Sequence, residues 1–206
     1  MSTKRVVIEA DERLEGVLQE GTGEGGVVIC HPHPLYGGSM WSNVVEAIEE
    51  GFSEAGFTTL KFNFRGVGSS TGHYDDGVGE TDDLLAARRF LEERIGKDTP
   101  LVLAGYSFGA WICSRALAHI EHQKEVFIVA LPFSAYSPEG LRTFPGKIYL
   151  VGGSLDDISP LKDLLAFYEE LKTEKYLKVV TTTHFFGGKE REIAGFIIEN
   201  FGKTKG

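Results

Sequence analysis

Six short runs of β-branched and aliphatic residues constrain the fold more than any other feature of this chain: Val27–Cys30, Thr58–Phe62, Leu101–Ala104, Val126–Ala130, Ile148–Val151 and Leu177–Val180. Most are apolar at consecutive positions, so each strand must be covered on both faces, as parallel strands flanked by helices are. Helical patterns fall between them, over about residues 39–55, 80–95, 107–119, 160–171 and 189–201. Five alternations require right-handed crossovers around a mainly parallel, twisted sheet with helices on both faces. Ahead of the first crossover, Val6–Glu9 and Leu14–Leu18 flank the polar Asp11-Glu12-Arg13 and read as an antiparallel hairpin on the sheet edge. No repeat, low-complexity tract or Pro/Ser-rich linker divides the sequence, so the expectation is one α/β domain over residues 1–206.

Charge narrows the partners. A formal net charge of -9 argues against nucleic acid, which requires a basic face, and favours a neutral or cationic small molecule. Two cysteines in apolar surroundings, Cys30 and Cys113, give no disulfide framework. Met1–Arg5 leads into a β-like run and not the apolar core of a signal peptide, and no segment approaches the ~20 apolar residues of a membrane span. The expectation is a soluble, cytoplasmic protein, monomer or homodimer, without a metal or cofactor.

The segment that carries chemistry is Gly105-Tyr106-Ser107-Phe108-Gly109, between an apolar strand and a helical run. A serine in a sharp strand-to-helix turn has its hydroxyl lifted out of the sheet, and the following helix N-terminus favours developing negative charge. The plainer reading is a glycine-flanked turn with a capping serine. With this motif in this context, the chain resembles the α/β-hydrolase superfamily over nearly its whole length, and the resemblance implies a triad in the order Ser, Asp or Glu, His.

Later segments match that order. Gly152-Gly153-Ser154-Leu155-Asp156-Asp157-Ile158-Ser159-Pro160 is similar to the family's acid loop, which makes Asp156 the triad acid, with Asp157 the rival and helix capping before Pro160 the structural alternative. Thr181-Thr182-Thr183-His184-Phe185-Phe186-Gly187-Gly188 resembles the histidine loop, which makes His184 the base. His119 and His122 fall at a helix end on the far side of the sheet, and His73 lies in a polar loop. All three read as structural or solvated.

An acyl-transfer site also needs two amide donors for the oxyanion. Phe108, following the nucleophile, supplies one by position. The resemblance puts the other in Cys30-His31-Pro32-His33-Pro34-Leu35-Tyr36-Gly37-Gly38, at His33, with Leu35 as the alternative; Pro32 and Pro34 have no N–H to give. His31 is then structural, its ring fixing the loop. His31-Pro32-His33-Pro34 with Gly37-Gly38-Ser39-Met40, and the glycine-rich Asn63–Gly72, narrow the likeness to small bacterial hydrolase-like proteins related to dienelactone hydrolases. Those carry cysteine at the elbow where this chain has Ser107, so their specific reaction does not transfer. A zinc reading of His31 and His33 lacks a third and fourth ligand.

Only about fifteen residues separate Ala130 from the strand near Lys147, too few for a lid domain. An open site suits short acyl esters or thioesters. The aromatics Tyr36, Tyr106, Phe133 and Phe185 form either an apolar substrate wall or ordinary core. The leading function is a serine hydrolase acting on a small acyl substrate; acyl transfer to another acceptor, and a non-catalytic scaffold, are the alternatives.

Overall fold

The computed structural model describes residues 2–202. Its strands are β1 (Thr3–Glu9), β2 (Arg13–Gln19), β3 (Gly26–Cys30), β4 (Thr58–Phe62), β5 (Leu101–Tyr106), β6 (Glu125–Val129), β7 (Lys147–Gly153) and β8 (Lys175–Val180). The helices are α1 (Asn43–Glu54), α2 (Val78–Ile95), α3 (Phe108–Ala116), α4 (Glu139–Thr143), α5 (Leu161–Glu170) and α6 (Glu190–Phe201). All eight strands join one sheet in the order β1-β2-β4-β3-β5-β6-β7-β8. The β1–β2 and β2–β4 pairings are antiparallel and the rest parallel, so the expected edge hairpin is present.

Alternate residues of the central strands feed two cores. Val27, Ile29, Val102 and Phe127 pack against Val44, Ile48 and Phe52 of α1 and Ile193 and Ile197 of α6. Val28, Leu103, Val126 and Leu150 face Leu84 and Leu91 of α2, Ile112 of α3 and Phe167 of α5. Burying each aliphatic side chain contributes about 1.5–3 kcal/mol, which fixes the register of every strand.

The chain leaves β3 towards β4, then crosses back over β3 to β5. The order therefore reverses between β3 and β5, and such a reversal opens a crevice outside the strands' carboxyl ends. Two elements differ from expectation. α1 begins at Asn43, because the preceding residues are spent on turns: Ser42 N–H donates to Ser39 O, and Met40 N–H to Asn63 Oδ1 (2.9 Å). The stretch between β6 and β7 contains α4, a five-residue helix that no periodicity announces and that is far too small for a lid.

Candidate active site

Ser107 stands at the end of β5 with φ 55° and ψ -115°, a conformation that costs a non-glycine residue on the order of 1–3 kcal/mol. The turn is possible because of its glycines. A Cβ on Gly105 would lie 2.4 Å from Gly109 O, and one on Gly109 2.4 Å from Cys30 O. Those two absences let α3 start directly behind the serine and let the loop after β3 press against it. Ser107 N–H is held by Val129 O of the neighbouring strand.

The loops after β7 and β8 bring two more side chains to Ser107. His184 Nε2 lies 3.0 Å from Ser107 Oγ, and its Nδ1 lies 2.8 Å from Asp156 Oδ2. With its proton on Nδ1, the ring donates to the carboxylate and accepts from the hydroxyl. Asp156 is buried, and its other oxygen accepts the amides of Ile158 (2.9 Å) and Ser159 (2.7 Å). Asp157 is exposed, so of the two candidates Asp156 is the one that meets His184. The amides it accepts precede α5, whose cap position, Pro160, makes no side-chain cap hydrogen bond.

Tyr106, expected on the substrate wall, is instead 3% exposed. It follows Val102 and Ala104 on one face of β5, which turns it into the core shared with α1 and α6. Its hydroxyl donates to His184 O at 3.0 Å, and burial, with the Asp156 carboxylate, pushes the phenol's pKa well up. It thus positions the histidine loop from beneath.

The loop after β3 winds around the carbonyl of His33, which accepts from Tyr36 N–H and Gly38 N–H (3.1 and 3.0 Å). Leu35 N–H is taken by His33 Nδ1 at 3.2 Å. The His33 amide donates to no acceptor among the described residues, and neither can Phe108, whose N–H opens α3 where no intrahelical partner exists. The His33 ring lies on that of Phe108 (4.9 Å between centroids), so loop and helix start are in contact. His31 is fully buried: Nδ1 is 2.6 Å from Pro32 O, and Nε2 accepts Phe64 N–H at 3.1 Å. Burial pushes its pKa down to about 4, which keeps the ring neutral. With both ring nitrogens engaged on backbone, His31 has none left for a ligand; among the described residues no cluster of three His, Cys, Asp or Glu could hold a metal. Arg65 anchors the next loop through a paired contact with buried Asp83 (Nη2 to Oδ1 2.7 Å).

At the mouth, Tyr36 is 86% and Phe185 64% exposed, while Phe133 is half-buried against Phe167 (5.0 Å). Sequence reasoning missed Tyr74 and Trp111. Tyr74 lies over His33 (5.0 Å), and Trp111 stacks on Tyr136 (4.5 Å), beside Phe108. Trp111 had a signal, four residues after Ser107 on the same helix; Tyr74 arrives from a loop with none. His119 and His122 are exposed and line a groove of about 970 Å³ at the strands' amino ends, remote from Ser107.

A serine strained at a strand end, a histidine on its hydroxyl, a carboxylate behind the histidine and a lidless switch-point crevice define a class, and the sequence comparison agrees: residues 27–187 match the alpha/beta hydrolase family, to which this chain belongs. Similar solved structures include an alpha-beta serine hydrolase homologue from Coxiella burnetii, 32% identical with a TM-score of 0.89 over 97% of this chain and 98% of that one. A lidless α/β serine hydrolase from Xanthomonas campestris is 27% identical, with a TM-score of 0.87 over 96% and 92% of the chains. An uncharacterized protein of Rickettsia prowazekii is 29% identical over 88% of this chain and 81% of its own length. No described helix is long and apolar enough to cross a membrane.

Proposed function

We propose that the protein is a serine hydrolase that cleaves a small carboxylic ester or thioester through an acyl-enzyme. The observation that carries this reading is the hydrogen-bonded series Ser107 Oγ, His184 Nε2, His184 Nδ1, Asp156 Oδ2, at 3.0 and 2.8 Å. Ser107 Oγ attacks the acyl carbon as His184 Nε2 takes its proton. The imidazolium so formed is stabilised by Asp156, whose place is held by the Ile158 and Ser159 amides. Negative charge on the carbonyl oxygen is received by the Phe108 and His33 N–H groups, each such donor being worth about 10²–10³ in kcat. Leu35 is the weaker second donor because its amide is already engaged. His184 returns the proton to the departing alcohol or thiol, then deprotonates the water that releases the acid and restores Ser107.

Tyr36, Phe133 and Phe185 are the proposed apolar contacts for the acyl chain. An activity-based fluorophosphonate tests the reading. Ser107 should be labelled in the wild-type protein and the label should vanish in Ser107→Ala; wild type that stays unlabelled while a known serine esterase reacts overturns it.

A further inference from the structure

Five loops at the carboxyl ends of the parallel strands border the candidate site: residues 31–42, 63–77, 130–138, 154–160 and 181–188. Together they contain no lysine, no glutamate, one arginine and four aspartates. The arginine, Arg65, is consumed by buried Asp83. Of the aspartates, Asp156 is engaged with His184, while Asp75, Asp76 and Asp157 are exposed. Asp75 accepts a backbone amide from Gly79 and lies within electrostatic reach of Arg65, whose direct ion pair is with Asp83. Burial lowers the pKa of the His33 ring, and the carboxylates of Glu80 and then Asp76 oppose that shift, so acidic charge is felt at the loop beside Ser107. The basic residues that flank these loops each have an acid beside them: buried Lys61, over the Trp41 ring, is paired with Glu49, Lys162 precedes Asp163 in the first turn of α5, and Lys189 and Arg191 stand among Glu190 and Glu192 at the start of α6. Arg115 lies over the Trp111 ring and donates to Thr81, and Arg142 is paired with Glu139 and Glu170. Leu35, Tyr36, Leu155, Ile158 and Phe185 complete the same rim as exposed apolar side chains.

From this distribution we infer that the substrate is an uncharged or cationic ester, and that esters bearing an anion, including acyl thioesters of phosphate-carrying thiols such as coenzyme A, are excluded. The inference rests on the hydrolase reading and deepens it. A phosphate-bearing leaving group meets no cation within these five loops other than Arg65, held by Asp83, and has three like charges to approach. A cation meets a field that concentrates it, and the apolar rim accommodates the rest of the molecule. Exposed charges act through solvent, so the preference must fade as salt shortens the screening length.

Three p-nitrophenyl esters test this with one leaving group: the pentanoate, the 4-(trimethylammonio)butanoate and the glutarate monoester, of nearly equal length. At low ionic strength kcat/KM should rank cationic above neutral above anionic, with about tenfold at each step, and the ranking should collapse towards unity near 1 M salt. The combined variant Asp75→Asn, Asp76→Asn, Asp157→Asn should bring the cationic-to-anionic ratio close to one, a ratio that partial loss of folded protein does not change. In a second arm, an acetyl thioester of neutral N-acetylcysteamine should be cleaved at least about tenfold faster than acetyl-coenzyme A. Equal rates across the three esters, a faster anionic ester, or coenzyme A on a par with its neutral fragment overturns the inference and leaves the hydrolase intact. Absence of turnover with every probe, together with an unlabelled Ser107, removes both.

Discussion

His31 and His184 are both buried at the carboxyl end of one sheet, and both have two ring nitrogens engaged. They differ in what holds them. His31 sits between a backbone carbonyl and a backbone amide, groups that neither ionise nor react, so its ring ties the loop after β3 to the loop after β4. His184 sits between a carboxylate and a hydroxyl, one able to stabilise a positive ring and the other able to give it a proton. Burial and full hydrogen bonding therefore do not single out a base; the chemistry of the two neighbours does.

The largest expected effect separates the pair directly. Ser107→Ala or His184→Ala should lower kcat by about 10⁴–10⁶ with little change in thermal stability, since a hydrolytic triad acts as a unit. His31→Ala should do the reverse, unfolding at markedly lower temperature and losing activity only as folded protein is lost. Measuring kcat and the unfolding midpoint on the same preparations decides; a folded His31→Ala enzyme with kcat down 10⁴-fold would break the contrast. Next in size is Asp156→Asn. It preserves the shape of the acid loop but removes the charge behind the ring, and kcat should fall by about 10³–10⁴. Asp157→Asn, one residue on and exposed, should leave kcat on a neutral ester within about twofold.

A third test uses protons. In the unfolded chain a histidine takes up a proton near pH 6.5, whereas folded His31 resists until about 4. Between those values the unfolded state binds the extra proton, so His31 makes stability fall as pH falls through the window. Denaturant unfolding at pH 7 and pH 4 should show wild type losing about 3 kcal/mol more than His31→Gln, which has no titrating ring. Equal losses would mean that the ring is not insulated from solvent.

The alternation of strands and helices, Ser107, Asp156 and His184 were legible in the chain because each is announced within about ten residues by local pattern: an apolar strand, then a turn or loop. The hairpin was legible for the same reason. What escaped depends on contacts far apart in sequence. Tyr74 meets His33 only because the loop after β4 returns over the loop after β3. That the Leu35 amide is already engaged turns on a side chain bending back to its own loop, which no spacing encodes. Backbone strain follows the same division. Among the described residues the four non-glycines with positive φ, Asp76, Ser107, Ala130 and Phe186, all lie in turns that follow β4, β5, β6 and β8 at the candidate site's end of the sheet. Only Ser107 among them was marked by a motif. Tyr106 is a different kind of miss, because its period-two spacing from Val102 and Ala104 already placed it on a core face.

Tyr106 also provides the smallest and most discriminating effect. Its hydroxyl is to the His184 backbone what Phe64 N–H is to the His31 ring: a single buried hydrogen bond that sets where a histidine stands. Tyr106→Phe keeps the ring and deletes that bond, leaving the His184 carbonyl one donor short at a cost of about 1 kcal/mol. A loosened histidine loop should lower kcat a few-fold and leave KM and the preference among p-nitrophenyl esters of increasing chain length unchanged. A wall residue would behave in the opposite way, shifting the length preference through KM while sparing kcat, because removing one hydroxyl would make the wall more apolar without moving the base. A changed length profile in Tyr106→Phe would therefore return Tyr106 to the mouth, against its place on the buried face of β5.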